Sequence, residues 1–387
     1  MTAPRLALAV LVHDLSATGV VRNAIRVAVH MAATGHRTEI WVNHDRGAFR
    51  ADVPATVTIR QIGSGRRLPT RRLETLHAIG GMARLIRESQ PAVLLSAGNH
   101  FHLAGGLAYR YAGRPAATRF MGRASNATPR LSLPWFAWLA NRIDAAKYAE
   151  MHRVIAVSHE LAADLESRLG IESGRIAIIP NGVDIPDIAR RSAEPLDDPW
   201  FAEAAPPVII SAGRLARQKN YSLLLDAFAR LRRQRPARLV ILGDGTVSAR
   251  KTLQDHARAL GIGDDLRLQG FEPNPLRYFA RAALFALSSR WEGASNVLLE
   301  AMACGCPVVA VDCPTGVREQ LDQGRIGPIV PQDNPSALAA AMADRLDAPR
   351  GSEGLRTHAA TFDLQVMLAA YERLLAPGSA GQILNNP

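Results

Sequence analysis

Cysteine is scarce in this chain of 387 residues: Cys304, Cys306 and Cys313 are all there is. An odd number without framework spacing excludes a disulfide-stapled fold and points to a reducing compartment. Cys304-x-Cys306 has the look of half a metal site, but no other cysteine or clustered histidine completes a ligand set, so small apolar residues packing a helix end is the simpler reading. No run approaches the ~20 apolar residues that a membrane-spanning helix needs. The apolar opening Leu6–Val12 is short, meets His13-Asp14 and lacks a cleavage region, so it is expected to be a buried first strand, not a signal peptide. Lysine is nearly absent: Lys147, Lys219 and Lys251 stand among 46 basic residues. No Asp-x-Asp pair occurs, which removes the common acidic handle for a metal-bound diphosphate.

What is present suits two globular domains, since 387 residues exceed an ordinary single domain and 48% of them are hydrophobic. The net charge of +11 is unevenly spread. Residues 1–190 hold 24 Lys and Arg against 14 Asp and Glu, whereas the remainder holds 22 against 21. Between Arg46 and Lys147 there are 16 basic residues and four acidic ones. A basic half joined to a neutral half implies that one domain meets something anionic, such as a membrane surface, a phosphorylated acceptor or a nucleic acid. The competing reading is a solvated surface in an arginine-rich proteome.

Strand-like and helix-like runs alternate. Strands are expected at Leu6–Val12, Thr38–Val42, Val57–Ile62, Ala92–Ser96, Ala116–Met121, Val154–Val157 and Ile176–Ile179. Helices are expected at Val20–Thr34, Thr75–Ser89, His100–Tyr111, Leu131–Met151 and Leu161–Leu169. Residues 186–206, rich in Pro, Asp, Glu and Ala, read as a linker. The alternation then restarts at Val208–Ala212 and runs to a helix at Pro335–Leu346, followed by a helical tail at Phe362–Leu375. This implies two α/β domains with parallel sheets: residues 1–188, residues 189–360, and a segment 361–387 that crosses back to the first domain. Ligands of such sheets bind beyond the carboxyl ends of the strands, so two facing domains would share a cleft.

The most informative stretch is Ser289 to Val309. Strand-like Ala282–Leu287 leads into a polar loop holding Glu292, then a helix from Asn296 to Cys304 holding Glu300, then a second strand Pro307–Val311. Both carboxylates border one helix start, where backbone N–H groups attract anions. An anion-binding helix end beside carboxylates that accept from hydroxyls suits a ligand that is part phosphate and part polyol, as a nucleotide sugar is. Gly213-Arg214-Leu215-Ala216-Arg217-Gln218-Lys219-Asn220 follows another strand, placing Arg214 and Lys219 where cations can reach a diphosphate. A lysine in a chain that otherwise uses arginine suggests a need for a compact charge. Thr18-Gly19 would let backbone approach a phosphate. Gly243-Asp244-Gly245 lacks the rest of a dinucleotide fingerprint and reads as a tight turn. His100, His102 and Gly122-Arg123-Ala124-Ser125-Asn126 follow strands of the first domain as polar groups near the expected cleft.

With these residues in place, the chain resembles the retaining glycosyltransferases of family 4, which have the GT-B fold. The resemblance covers most of the chain. It is strongest at Glu292-x7-Glu300 with Glu-Ala-Met-Ala-Cys-Gly-x-Pro-Val-Val, and is supported at residues 214–220, 243–245, 153–158 and 179–184. It implies two Rossmann-like α/β/α domains facing across a cleft, with a C-terminal helix packing back on the first. It implies that Arg214 and Lys219 bind the donor diphosphate, that Glu300 binds the ribose, and that Glu292 with the amides of Ala294, Ser295, Asn296 and Val297 holds the sugar and phosphate. Gly270 and Phe271 would hold the base, and Gly19 and Gly213 would border the diphosphate. His100, His102, Arg123 and Asn126 would face the acceptor. The implied reaction moves a hexose or N-acetylhexosamine from a nucleoside-diphosphate sugar, UDP ahead of GDP, to a glycan or lipid-linked acceptor. It would proceed with retention, without metal or cofactor, in cell-envelope polysaccharide or glycolipid synthesis. There are departures. Thr18-Gly19 stands where relatives have Gly-Gly, Ala294-Ser295 where many have Phe-Gly or Phe-Pro, and Gly122-Arg123-Ala124 where some have a histidine. The aromatic and apolar run Leu131–Leu139 beside arginines suggests a peripheral enzyme on the cytoplasmic face of a membrane. Rival readings are a nucleotide-sugar epimerase of the same fold and a non-enzymatic protein binding nucleic acid or an anionic surface. The basic zone lacks the interleaved aromatics expected for nucleic acid.

Overall fold

The computed structural model describes residues 6–63, 65, 69–127, 134–348 and 351–376. It divides into two compact units. One runs to Asn181 and takes in the chain again from Val366; the other is Gly182–Gln365. Both are Rossmann-like, with wholly parallel sheets.

The first unit contains β1 (Ala7–Val12), α1 (Gly19–Ala33), β2 (Arg37–Val42), β3 (Thr58–Gln61), α2 (Arg71–Ser89), β4 (Val93–Ser96), α3 (Asn99–Tyr111), β5 (Arg119–Ala124), α4 (Pro134–Ala146), β6 (Arg153–Ala156), α5 (His159–Leu169) and β7 (Ile176–Ile178). Its sheet has the order β3-β2-β1-β4-β5-β6-β7. The strands are short apolar runs with both faces covered, which is why β1, β4 and β6 are almost wholly buried. Helix starts follow the cap rule: Thr18, Thr70 and Ser158 each accept a backbone N–H of the first turn. β5 differs from expectation. It begins later and continues through Arg123 to Ala124, because Gly122 pairs with Ser96 and Ala124 with Ala156. Arg123 is therefore a strand residue, not a loop residue.

The second unit contains α6 (Ile185–Ser192), β8 (Val208–Ala212), α7 (Tyr221–Arg232), β9 (Arg238–Leu242), α8 (Val247–Ala259), β10 (Leu266–Gly270), α9 (Leu276–Phe279), β11 (Leu284–Leu287), α10 (Asn296–Ala303), β12 (Val308–Val311), α11 (Val317–Gln320), β13 (Ile329–Val330), α12 (Pro335–Asp347) and α13 (Ser352–Ala360). Helix α14 (Leu364–Leu375) follows; the expected tail beyond residue 376 lies outside the described residues. The sheet order is β10-β9-β8-β11-β12-β13. Period-2 alternation splits β8 between two cores: Val208, Ile210 and Ala212 pack with α9 and α10, and Ile209 packs with α7 and α12.

The stretch read as a linker is in part ordered helix. Asp184 caps α6 by accepting from the Asp187 amide at 3.1 Å, and Ile188 joins the core with Trp200 and Phe201 packed against it. In local order both sheets run 3-2-1-4-5-6, the first with one strand more, so each has a point where successive connections turn to opposite sides. In the second unit that point lies between β8 and β11.

Candidate functional site

The loops leaving β8 and β11, residues 213–220 and 288–295, diverge at this switch point and are stitched together. The Arg290 amide donates to the Gln218 carbonyl (2.7 Å), the Ser288 hydroxyl to the Lys219 carbonyl (2.8 Å), and Gln218 Nε2 to the Trp291 carbonyl (2.9 Å). The stem of Lys219 passes over Gly213. A Cβ at position 213 would lie 2.6 Å from Lys219 Cε, and φ there is +143°, so glycine is required twice over. The Tyr221 hydroxyl donates to the Gly213 carbonyl at 3.0 Å. Burial, reinforced by the charge of Glu292, pushes that phenol far above its usual range, so it stays a neutral donor. The turn at 243–245 braces the first loop. Leu215 N donates to the Asp244 carbonyl at 2.8 Å, and a Cβ on Gly243 would meet the Gly213 carbonyl at 2.1 Å.

Glu292 is the centre of the site and only 5% exposed. Its Oε1 accepts from Lys219 Nζ (2.7 Å) and Ser289 Oγ (2.7 Å), while Oε2 has only a long contact with Gln218 Nε2 (3.4 Å). One oxygen is thus saturated and the other keeps capacity to accept from a ligand hydroxyl. The Thr315 hydroxyl donates to the Glu292 carbonyl. Gly316, at φ +78°, lies so close to Gly293 that a Cβ would sit 2.1 Å from its carbonyl oxygen. The loop is therefore held on both sides before any ligand arrives.

At the start of α10, Gln320 grips Ser295 at both ends: the Ser295 amide donates to Oε1 (2.8 Å) and Nε2 donates to the Ser295 carbonyl (3.1 Å). This corrects one expectation. Among the amides of Ala294, Ser295, Asn296 and Val297, that of Ser295 is already committed to Gln320. Asn296 and Val297 are the first two residues of the helix. The buried Ser295 hydroxyl has no partner among the described residues. Glu300 is buried a little over one turn into α10. Burial pushes the Cys304 thiol up to about 12, with Glu300 adding to it. Cys304, Cys306 and Cys313 are buried thiols, and the first two face core carbonyls. Arg214 is exposed and makes no ion pair among the described residues. Gly270 ends β10 at φ +87°, and Phe271 beside it is 48% exposed.

The second unit thus brings Gly213, Lys219, Glu292 and Ser295 together. Gln218, Ser289, Thr315 and Gln320 complete the arrangement and were missed from sequence. Gln218 and Ser289 adjoin the chosen residues and were open to notice; nothing in the sequence links Thr315 or Gln320 to Glu292.

In the first unit, Gly19 is the exposed first residue of α1, whose start is capped by Thr18 Oγ1 on the Val21 amide at 3.3 Å. His100 is exposed, its ring 5.0 Å from that of Phe101. The Asn126 carbonyl accepts from Asn99 Nδ2 at 2.9 Å. His102 and Arg123 do not present their side chains to solvent. His102 is fully buried, bonded to Ser96 Oγ through Nδ1 at 2.8 Å and packed on Tyr148. Burial, with His100 next in effect, lowers its pKa to about 3. Arg123 is buried on β5 and donates to Asn181 Oδ1. Both are core groups, which removes them as direct acceptor contacts.

Two family models match the chain: Glycosyltransferase Family 4 over residues 17–186 and Glycosyl transferases group 1 over residues 194–360. The chain belongs to glycosyltransferase family 4. Among its relatives is a Campylobacter jejuni protein named N-acetylgalactosamine-N,N'-diacetylbacillosaminyl-diphospho-undecaprenol 4-alpha-N-acetylgalactosaminyltransferase. It is 31% identical over 198 residues, which are 51% of this chain and 52% of that protein. The match thus spans about half the length of that relative. A D-inositol 3-phosphate glycosyltransferase of Nocardiopsis dassonvillei is 28% identical over 91% of this chain and 89% of its own. The solved structure of Anabaena HepE with UDP and glucose superposes with a TM-score of 0.76, at 18% identity, over 96% of this chain and all of that one. The fold of this family 4 member is GT-B.

Two measurements test the site. Arg214→Ala should leave thermal stability within about 0.5 kcal/mol of wild type, since the side chain is exposed and makes no ion pair among the described residues. Lys219→Ala should cost about 3 kcal/mol or more by stranding the buried Glu292 charge. Equal melting temperatures for the two variants would contradict the ion pair. His102 titrates at 6.5 when unfolded and about 3 when folded. The unfolded chain therefore binds the extra proton between these values. Its contribution to stability is complete above pH 6.5 and falls toward pH 3, by up to roughly 1.4 kcal/mol per pH unit. Urea unfolding across that range should show a shallower slope in His102→Asn; an unchanged slope would contradict its buried neutral state.

Proposed function

We propose that this protein transfers a hexose or N-acetylhexosamine from a nucleoside-diphosphate sugar, UDP ahead of GDP, to a glycan or lipid-linked acceptor, with retention at the anomeric carbon. The observation that carries the reading is the constellation at the second switch point: a buried Glu292 with one unsaturated oxygen, Lys219 against it, exposed Arg214 and the start of α10. The sugar–phosphate bond breaks with the electron pair leaving on the diphosphate. Arg214, Lys219 and the helix N-terminus would stabilise that developing charge. Glu292 would accept from a sugar hydroxyl and Glu300 from the ribose. The Thr315, Gly316 and Gln320 contacts hold this frame in advance, so little is spent on ordering it when donor binds. Handling of the diphosphate by cations of the chain fits the lack of an Asp-x-Asp pair. The names of the Campylobacter and Anabaena proteins support a lipid-diphosphate-linked acceptor and a UDP donor, respectively.

The acceptor side belongs to the basic first unit. No helix among the described residues is long and apolar enough to cross a membrane. Part of the aromatic run, Leu131–Leu133, lies outside the described residues, as do the side chains of 134–137. Further along α4, Trp138 (53%), Leu139 and Ile143 (54%) are exposed, with the Arg142 guanidinium 5.0 Å over the Trp138 ring. Aromatic and aliphatic groups beside arginine on one helix suit the interface of an anionic membrane, where a peripheral enzyme of envelope glycan synthesis would meet a lipid-linked acceptor on the cytoplasmic face.

Thermal shift against UDP, GDP, ADP and their sugars tests the donor: one base family should stabilise the protein, and Glu300→Ala should abolish the effect. No shift at millimolar concentrations of any of them would overturn the reading. For the membrane part, the protein should sediment with anionic vesicles at low salt, and Trp138→Asp with Ile143→Asp should release it. A protein that stays in the supernatant of those vesicles would remove the surface from the account.

A further inference from the structure

His13 directly follows β1, and His44 lies two residues beyond β2. These parallel strands are neighbours in register, with Val12 opposite Val42, so their carboxyl ends deliver both imidazoles to one place. The His13 carbonyl accepts from the amides of Asn43 (3.0 Å) and His44 (3.2 Å), which ties the two strand ends together. Helix α2 brings Glu74 from its first turn. Glu74 Oε2 is 2.9 Å from His13 Nε2, and Oε1 is 3.2 Å from His44 Nε2. The three ligand atoms lie within 4.8 Å of one another, and both imidazoles are at least nine-tenths buried.

Hydrogen bonding among neutral imidazoles accounts poorly for this arrangement. Both ring nitrogens of His13 face carboxylates, Nδ1 lying 3.2 Å from Asp14 Oδ2, an arrangement that suits an imidazolium or a metal-bound imidazole but not a free neutral ring, which carries one N–H. His44 Nε2 is enclosed and completes no hydrogen bond although Glu74 is beside it. At that nitrogen either a misdirected N–H or a lone pair faces the carboxylate, and a cation between the two groups would relieve both. The spacing suits one: a tetrahedral ion with bonds of about 2.0–2.1 Å sets its ligand atoms about 3.3 Å apart. Asp14 would then play the outer part common at such centres, accepting from His13 Nδ1 and leaving Nε2 to the metal. The Ser16 amide holds Asp14 Oδ1 at 3.2 Å. A small cavity lined by Asn43, His44, Gly63, Glu74 and His77 adjoins the cluster, with space for a water as a fourth ligand.

We propose that His13, His44 and Glu74 form a binding site for a divalent transition-metal ion, Zn2+ by the chemistry of two imidazoles and a carboxylate. The ion joins the loops after β1 and β2 to α2 at the carboxyl edge of the first sheet. This assignment concerns the first unit and leaves the cationic handling of the diphosphate in the second unit as it stands.

The full chain, stripped with a chelator, is titrated with Zn2+ by calorimetry and followed by thermal unfolding. One ion per chain should bind with micromolar or tighter affinity and raise the melting temperature by a few degrees. His44→Ala and Glu74→Gln should each weaken binding at least about 100-fold, and Asp14→Asn about 10–100-fold. Co2+ added to the unmodified chain gives a readout that does not depend on the variants folding. It should produce the intense visible absorption of a tetrahedral centre, bleached by one equivalent of Zn2+. Lack of stoichiometric uptake by the wild-type chain, or equal uptake by His44→Ala and Glu74→Gln, would overturn the site.

Discussion

The second unit is organised around one buried ion pair, Lys219 Nζ on Glu292 Oε1 at 2.7 Å. Such pairs add little net stability, because taking both charges out of water costs about what their attraction returns. What this one does in the structure is hold one Glu292 oxygen and leave the other with only a long contact to Gln218. Much of the surrounding structure serves it: Gly213 has no side chain so that the lysine stem can cross it, Ser289 and Gln218 share the carboxylate, and Thr315 fixes the backbone behind it. The pair sits where two loops diverge at the edge of a parallel sheet, the position at which such sheets leave room for a ligand.

The constraint extends outward through glycines that are not interchangeable with alanine. Gly243 packs against the Gly213 carbonyl, and Gly316 against that of Gly293. These contacts link the turn after β9 and the turn before α11 to the two loops that carry Lys219 and Glu292. Gln320 carries the same logic to α10 by holding both polar groups of the Ser295 backbone. The helix start is thus fixed by a residue that touches no expected ligand. Its frame is built by neighbours, while Arg214, exposed and unpaired among the described residues, is left available to a mobile anion.

Much of this was legible in the sequence, for identifiable reasons. Buried parallel strands are near-continuous apolar runs, so Val208–Ala212 has the boundaries expected from sequence. Glu292 and Glu300 stood out because a strand, a polar loop and a helix surround them in order. Short or weakly patterned elements escaped: β13 has two residues, α11 has four, and α13 buries only Leu355 and Ala359. Helix α6 hid in a stretch of linker composition because Ile188 alone anchors it. Arg123 was misplaced because a charged residue reads as loop, whereas β5 carries it into the core. The histidine and glutamate cluster of the first unit was invisible for a different reason. Its members stand about thirty positions apart, and only the pairing of β1 with β2 and the docking of α2 bring them together.

A crystal structure of the full chain with the nucleoside diphosphate that it binds most tightly would test the role of the Lys219–Glu292 site. The diphosphate oxygens should lie within hydrogen-bonding distance of Arg214 and Lys219 at the first turn of α10, with the Lys219–Glu292 pair intact and the ribose against Glu300. A nucleotide bound anywhere else, with these side chains untouched, would contradict that role.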